Sequence, residues 1–183
     1  LSKKIFGNQS LNKSSDVTVV ITSCNRWNYL YITLNSFLKY NSFPVKKIIL
    51  IEDSNNQFIK KNIEEYFPTI DILFDGNQKG QKERILEVWS LVDTKYIFHI
   101  EDDWEFREPF FIEKSKLLLT GSEEYLNVWL RDINDTNLHP INPKLLEINN
   151  IFHWKLEKNY LECWNGFTWN PTLMHYDIVF REL

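Results

Sequence analysis

The sequence predicts an α/β fold, a mostly parallel central sheet flanked by helices, on three observations. At 183 residues, 43% of them hydrophobic and 25% charged, the chain has the size and apolar content of one well-packed core. Up to residue 100, short β-branched apolar runs alternate strictly with segments of helical periodicity. Several of those runs break off in polar or acidic residues. Alternation of this kind implies right-handed β-α-β crossovers and parallel strands.

The elements follow in order. Residues 1–15 carry three Lys, two Asn and four Ser and read as a tail or linker before a domain spanning 16–183. Val17 to Thr22 is a short apolar run bounded by polar residues, the pattern of a buried strand. Ser23-Cys24-Asn25-Arg26 forms a polar elbow. Leu30, Leu34, Phe37 and Leu38 then recur at helical spacing. Pro44 falls in a connection, and Lys47 to Ile51 is a second strand, ending in Glu52-Asp53-Ser54. Phe58 to Tyr66 predicts a helix and Ile70 to Phe74 a third strand. The segment 75–80, with Gly76, Asn77 and Gly80, predicts a loop. Ile85, Leu86, Trp89 and Val92 mark another helix, and Tyr96 to Ile100 a fourth strand that ends abruptly in Glu101-Asp102-Asp103. Beyond residue 105 the sequence predicts a helix over about Phe110 to Leu119 and a strand around Val128 to Arg131. An irregular segment rich in Trp and Asn completes the chain.

Composition removes several classes of function. The five glycines form neither a Gly-x-Gly-x-x-Gly fingerprint nor a phosphate-binding Gly-x-x-x-x-Gly-Lys-Ser/Thr loop. A formal net charge of −4 argues against a general nucleic-acid binder. Cys24 and Cys163 make no disulfide framework and no paired metal motif, and free thiols are expected. No apolar run approaches the roughly 20 residues needed to cross a bilayer, so a soluble domain without membrane contact is expected. The chain begins at Leu1 and is read as part of a longer protein. It has no alanine but seven tryptophans, and the tryptophans need a physical reason.

Glu101-Asp102-Asp103 is the strongest chemical signal. Like charges a few ångströms apart raise one another's pKa, so three acids at the end of a buried strand are costly. A divalent cation removes that cost, and oxygen donors suit Mg²⁺ or Mn²⁺ better than zinc. The competing reading is a helix N-terminal cap, for which one Asp would suffice. In open parallel sheets, ligands gather at the carboxyl ends of the strands near a topological switch point. That rule places Arg26, Asp53 and Asp103 along one edge.

With the acidic triplet in place, the sequence resembles the GT-A-type glycosyltransferases, which take nucleotide-sugar donors. Glu101-Asp102-Asp103-Trp104-Glu105, followed by Pro109-Phe110-Phe111, is similar to the Glu-Asp-Asp motif of the animal N-acetylglucosaminyltransferases. Ser23-Cys24-Asn25-Arg26 resembles their Ala-Cys-Asp-Arg stretch. Trp164-Asn165-Gly166-Phe167-Thr168-Trp169 resembles their acceptor-side loop. The resemblance covers roughly 16–183 and implies a Rossmann-like GT-A fold, with 16–105 as the nucleotide-sugar-binding half and 106–183 as a small acceptor-side lobe that reads as truncated beside the family.

The resemblance also implies roles. Asp103 would be the direct ligand of Mn²⁺ or Mg²⁺, supported by Glu101. Asp102 would face the ribose or a metal-bound water. Asp53 would accept from the uracil N3–H of a UDP-sugar, although Asp-Ser-Asn-Asn is also a turn sequence. Thr22, Ser23 and Arg26 would line the nucleotide, and Arg84, with Lys79 and Lys82 nearby, could reach the diphosphate. Trp104, Trp164, Gly166 and Trp169 would contact donor sugar or a carbohydrate or glycosylated acceptor, since indole faces stack on sugars. The catalytic base is not identified; Asp132 and Asp177 are the in-chain candidates. His175 is a further candidate metal ligand, and His99 reads as a core histidine. Two alternatives stay open: a nucleotidyltransferase on a related sheet, and a non-catalytic carbohydrate-binding module.

Overall fold

The computed structural model describes residues 11–136, 138–157 and 170–182. Its centre is β1 (Val17–Ser23), buried along its whole length. Side chains alternate faces along a strand. Val17, Val19 and Ile21 therefore enter one core with α1 (Trp27–Tyr40) and α2 (Gln57–Tyr66), while Val20 enters a second with α3 (Gln81–Trp89). β2 (Lys47–Glu52) divides likewise, Ile48 and Leu50 to the first core, Ile49 and Ile51 to the second. A strand buried on both faces needs the near-continuous apolar runs seen in the sequence.

The six-stranded sheet has the order β3-β2-β1-β4-β8-β5, with β3 (Asp71–Leu73), β4 (Tyr96–Glu101), β5 (Asn127–Trp129) and β8 (Thr172–His175). β2 and β4 both pair parallel with β1, and β3 parallel with β2. Chain order reverses between β1 and β4, and the carboxyl ends diverge into a crevice there. α4 (Phe111–Gly121) packs on the same side as α1, its Phe111 against Phe37, Phe98 and Phe106. The predicted α/β architecture is present, as a mixed but mostly parallel sheet. None of the described helices is long and apolar enough to cross a membrane.

The expectation fails beyond residue 131, where the sequence reads as irregular. β8 enters antiparallel between β4 and β5. It has only four residues, Thr-Leu-Met-His, too few for alternation to register. A hairpin joins β6 (Leu146–Ile148) to β7 (Ile151–His153) through Asn149 and Asn150, both left-handed with φ of 53° and 61°. Asn tolerates that region, which two-residue hairpin turns require. α5 (Tyr176–Glu182) follows β8.

The hairpin docks on the end of α4 at Gly121, where an added Cβ would overlap the Ile148 Cγ2 methyl. Gly121→Ala gains about 1 kcal/mol in helix propensity but meets an overpacking cost of about 1–3 kcal/mol. A net loss of about 1 kcal/mol is expected in urea unfolding. A gain would show that the hairpin yields freely.

Candidate active site

The carboxyl ends of β1, β2 and β4 build the site. After Ser23 the chain turns sharply at Asn25, left-handed with φ of 56°, before α1 starts. The Asn25 amide donates to Glu52 Oε1 at 2.8 Å and Asn56 Nδ2 donates to Asn25 Oδ1 at 2.8 Å, so the elbow is tied to the end of β2. This aims Ser23 and Arg26 at the acids that follow β4.

Those acids differ in setting. Asp102 is only 3% exposed. Its Oδ2 accepts the Ser23 hydroxyl at 3.0 Å and its Oδ1 lies 3.0 Å from Arg26 Nη1. Burial pushes its pKa up, partly countered by Ser23 and Arg26. Burial also pushes Glu101 up, with Asp103 and Asp102 adding to the shift; Gln81 Nε2 donates to Glu101 Oε1 at 2.8 Å and opposes it. Asp103 is the open member, its side chain 41% exposed and its Oδ2 3.0 Å from Arg26 Nη2. Two residues missed in the sequence reading hold the triplet from behind. The Thr33 hydroxyl donates to the Asp102 carbonyl at 2.8 Å and accepts the Trp104 amide at 3.1 Å; Ser36 Oγ accepts the Phe106 amide at 3.0 Å. Their signal was available: both lie on the buried face of α1 among Leu30, Leu34 and Phe37.

Asp53 closes the other wall. Its Oδ1 accepts the Lys79 amide and Arg84 Nε, each at 2.8 Å, and its Oδ2 accepts the Gly80 amide at 2.8 Å. Burial raises its pKa, but these donors outweigh burial and hold the carboxyl below its ordinary value. Gly80, at φ of 93°, gives the loop a backbone that side chains resist.

Thr22, Ser23, Arg26, Asp53, Arg84, Glu101, Asp102 and Asp103 thus line one cleft of about 250 Å³, and the structure brings these predicted residues together. Arg84, however, is not poised toward a diphosphate. It is 2% exposed, and its five N–H donors are taken by Asp53, Asp75, Glu87 and the Asn77 carbonyl. Lys79 pairs with Asp75 at 3.0 Å and Glu87 at 3.2 Å. The cluster braces the loop.

The remaining candidates disperse. Trp104 packs against the core under the Arg131 guanidinium, 5.1 Å from its ring centre, and Arg131 also covers Trp129 at 5.5 Å. Asp132 follows β5 on the carboxyl edge, exposed, its Oδ1 accepting the Asn134 amide at 2.8 Å. Because β8 runs antiparallel, His175 pairs with Tyr96 at the far end of β4. His175 therefore lies about 17 Å from Glu101, at roughly 3.3 Å per residue of β4, and Asp177 follows it in α5, whose first residue bonds to Lys95 beyond the start of β4; both are too far for a ligand or base at this cleft. Trp164, Gly166 and Trp169 lie outside the described residues. His99 is buried against Trp89, and burial lowers its pKa to about 3. Cys24 is a poor nucleophile, its thiol pushed up by burial and by Glu52 and Asp53.

Likeness to solved structures shows the same fold in two enzyme classes. A 4-diphosphocytidyl-2C-methyl-D-erythritol synthase from Anaerococcus prevotii matches with a TM-score of 0.56 at 12% identity, over 90% of this chain and 73% of that one. The mannosyltransferase PcManGT from Pyrobaculum calidifontis, in complex with GDP-Man and Mn²⁺, matches with a TM-score of 0.54 at 8% identity, over 69% of this chain and 39% of that one. GalNAc-T7 with UDP, GalNAc and Mn²⁺ matches at 21% identity and a TM-score of 0.45, over 52% of this chain and 19% of that one. The chain thus spans a fifth to two fifths of the length of those two transferases. No curated protein matches the sequence. Sequence family separates the two classes where fold does not. Since the model "Glycosyl transferase family 2" matches residues 18–171, the chain belongs to that family of nucleotide-sugar-dependent transferases.

Proposed function

We propose that the cleft takes the UDP moiety of a UDP-sugar with Mn²⁺ or Mg²⁺, and that the sugar passes to a hydroxyl of a carbohydrate or glycosylated acceptor. The observation that carries this reading is that Asp53, after β2, and Asp103, after β4, flank the carboxyl end of β1 and line one cleft. A carboxylate offers about four acceptor positions, and three on Asp53 are already filled. The one left suits the single N–H of uracil better than the adjacent N–H donors of guanine.

Among the described residues no three His, Cys, Asp or Glu side chains form a ready metal cage. The donor set still fits a hard cation, because Mg²⁺-type sites commonly use one or two carboxylates and complete their shell with water and phosphate oxygens. Asp103 is the exposed carboxylate that would hold it, with Asp102 behind. When bound, such an ion supplies Lewis-acid stabilisation of the charge on a leaving diphosphate. This chain's residues orient the rest. Ser23 and Thr33 fix Asp102, Gln81 steadies Glu101, and the Asp53 clamp sets the height of the 75–80 loop. Asp132, on the same edge, is the proposed base for the acceptor hydroxyl; that role needs hydrogen-bond reach in the ternary complex. We assign residues 16–105 to the donor and 106–183 to the acceptor side.

Calorimetric titration tests the proposal. UDP is expected to bind with Mn²⁺ present, GDP about tenfold more weakly for want of a second acceptor. Asp103→Ala should lower the Mn²⁺-dependent affinity by at least the roughly 10–100-fold that loss of an outer-shell partner costs a metal site. Failure of UDP to bind with and without metal would overturn it.

A further inference from the structure

The side chain facing the two aspartates is a cation of the chain's own. Arg26 Nη1 lies 3.0 Å from Asp102 Oδ1 and Arg26 Nη2 lies 3.0 Å from Asp103 Oδ2, so one guanidinium bridges both carboxylates. Its plane is steadied from outside by Tyr29, whose ring centre is 4.8 Å from Cζ. The guanidinium is held at its tip but not enclosed. Arg26 is 44% exposed, it precedes α1 without making a side-chain cap, and the chain before it turns at left-handed Asn25. Arg84, by contrast, is locked on all sides. The two arginines of the cleft are therefore built differently, one as a fixed brace and one as a removable bridge.

We propose that Arg26 is a built-in counter-ion, and that its guanidinium and a divalent cation are alternative occupants of the Asp102–Asp103 pair. This rests on the reading of Asp103 as the metal ligand. Two positive charges cannot share carboxylate oxygens a few ångströms apart without strong repulsion. Arg26 offsets one unit of negative charge on the Asp102–Asp103 pair while the site is empty of metal, which eases the repulsion between the acids. A cation held by Asp103 would compete directly with the Arg26–Asp103 contact and, by its charge, with the neighbouring Arg26–Asp102 contact, so the intrinsic affinity of the free protein for metal is set low. The released guanidinium stays at the rim, the position from which a polyanionic donor gains from it. Metal and sugar nucleotide are thereby made to bind together rather than separately.

The test is Mn²⁺ binding to the nucleotide-free protein, followed by loss of the free-ion electron paramagnetic resonance signal. Wild type is compared with Arg26→Ala and Arg26→Lys, each first checked for an unchanged thermal transition. Exposed ion pairs are weak singly, and two of them lost together predict roughly three- to tenfold tighter Mn²⁺ binding in Arg26→Ala. Arg26→Lys keeps the charge but cannot bridge two carboxylates with a planar fork, and it too should bind more tightly than wild type. Equal affinity in all three proteins overturns the inference while leaving the metal reading intact. Wild-type affinity in Arg26→Lys alone also overturns it, since a general field and not a bridge would then be at work. No Mn²⁺ on any of the three, even with UDP added, sinks both readings together.

Discussion

Replacing Arg84 with alanine is expected to destabilise the protein by about 3–5 kcal/mol, the usual cost of stripping one partner from a buried ion pair. Arg84 and Asp53 are both buried and meet at 2.8 Å. Without the guanidinium, Asp53 keeps only the Lys79 and Gly80 amides, and Asp75 loses contacts at 2.5 and 3.2 Å. Denaturant unfolding monitored by tryptophan fluorescence checks this; a midpoint shift worth less than about 0.5 kcal/mol, typical of surface changes, would show the loop is held by other means. Arg84→Lys, with three donors in place of five, should recover less than half. The pH dependence has a definite sign. Asp75 is held well below its ordinary value, chiefly by Arg84; Glu87 is lowered by the same guanidinium, and Asp53 is lowered too. Groups depressed in the folded state contribute stability above the ordinary carboxylate range, about pH 4, and lose it as pH falls through that range toward their depressed values. Wild type should therefore weaken steeply on acidification, and Arg84→Ala should show a flatter acid limb.

Thr33→Val should cost about 2–4 kcal/mol and, unlike an ordinary core change, should also weaken nucleotide binding. The substitution keeps shape and β-branching, so packing and helix propensity change little. What it removes is the hydroxyl that serves the Asp102 carbonyl and the Trp104 amide. Each backbone group left without a partner costs about 1–3 kcal/mol, less where water can reach. Those groups flank Asp103, so freeing them lets the proposed metal ligand drift. UDP titration in the presence of Mn²⁺ is the discriminating readout. Lower stability with unchanged nucleotide affinity would make Thr33 a purely structural strap.

The donor-side half of the molecule was legible because its physics is local and repetitive. Strands buried on both faces need continuous apolar runs, as Val17–Ile21 and Lys47–Ile51 display, and polar residues cluster where such runs end. Hence the carboxyl edge, and with it Arg26, Asp53 and the acidic triplet, could be located from sequence alone. What sequence could not give was the bonding between distant segments. Arg84 read as a free cation; only the fold shows it enclosed by Asp53, Asp75 and Glu87. Thr33 and Ser36 looked like impurities in an apolar stripe until the backbone of residues 102–106 came to rest on them. Beyond residue 131 the described strands are three or four residues long, below the length at which periodicity speaks, and β8 takes its direction from two neighbours far away in sequence.

β8 runs beside β4 only from Tyr96 to His99, whereas β1 follows β4 as far as Glu101. The acids therefore hang like a bracket from one side: from β1 through the Thr22–Glu101 register, and from α1 through Thr33. β5 and β8 carry none of that load. Strain entering from the β5–β8 side must therefore cross the β4–β8 pairing, which stops at His99, before it reaches the acids, and damage to that edge should cost stability before it costs the alignment of the triplet.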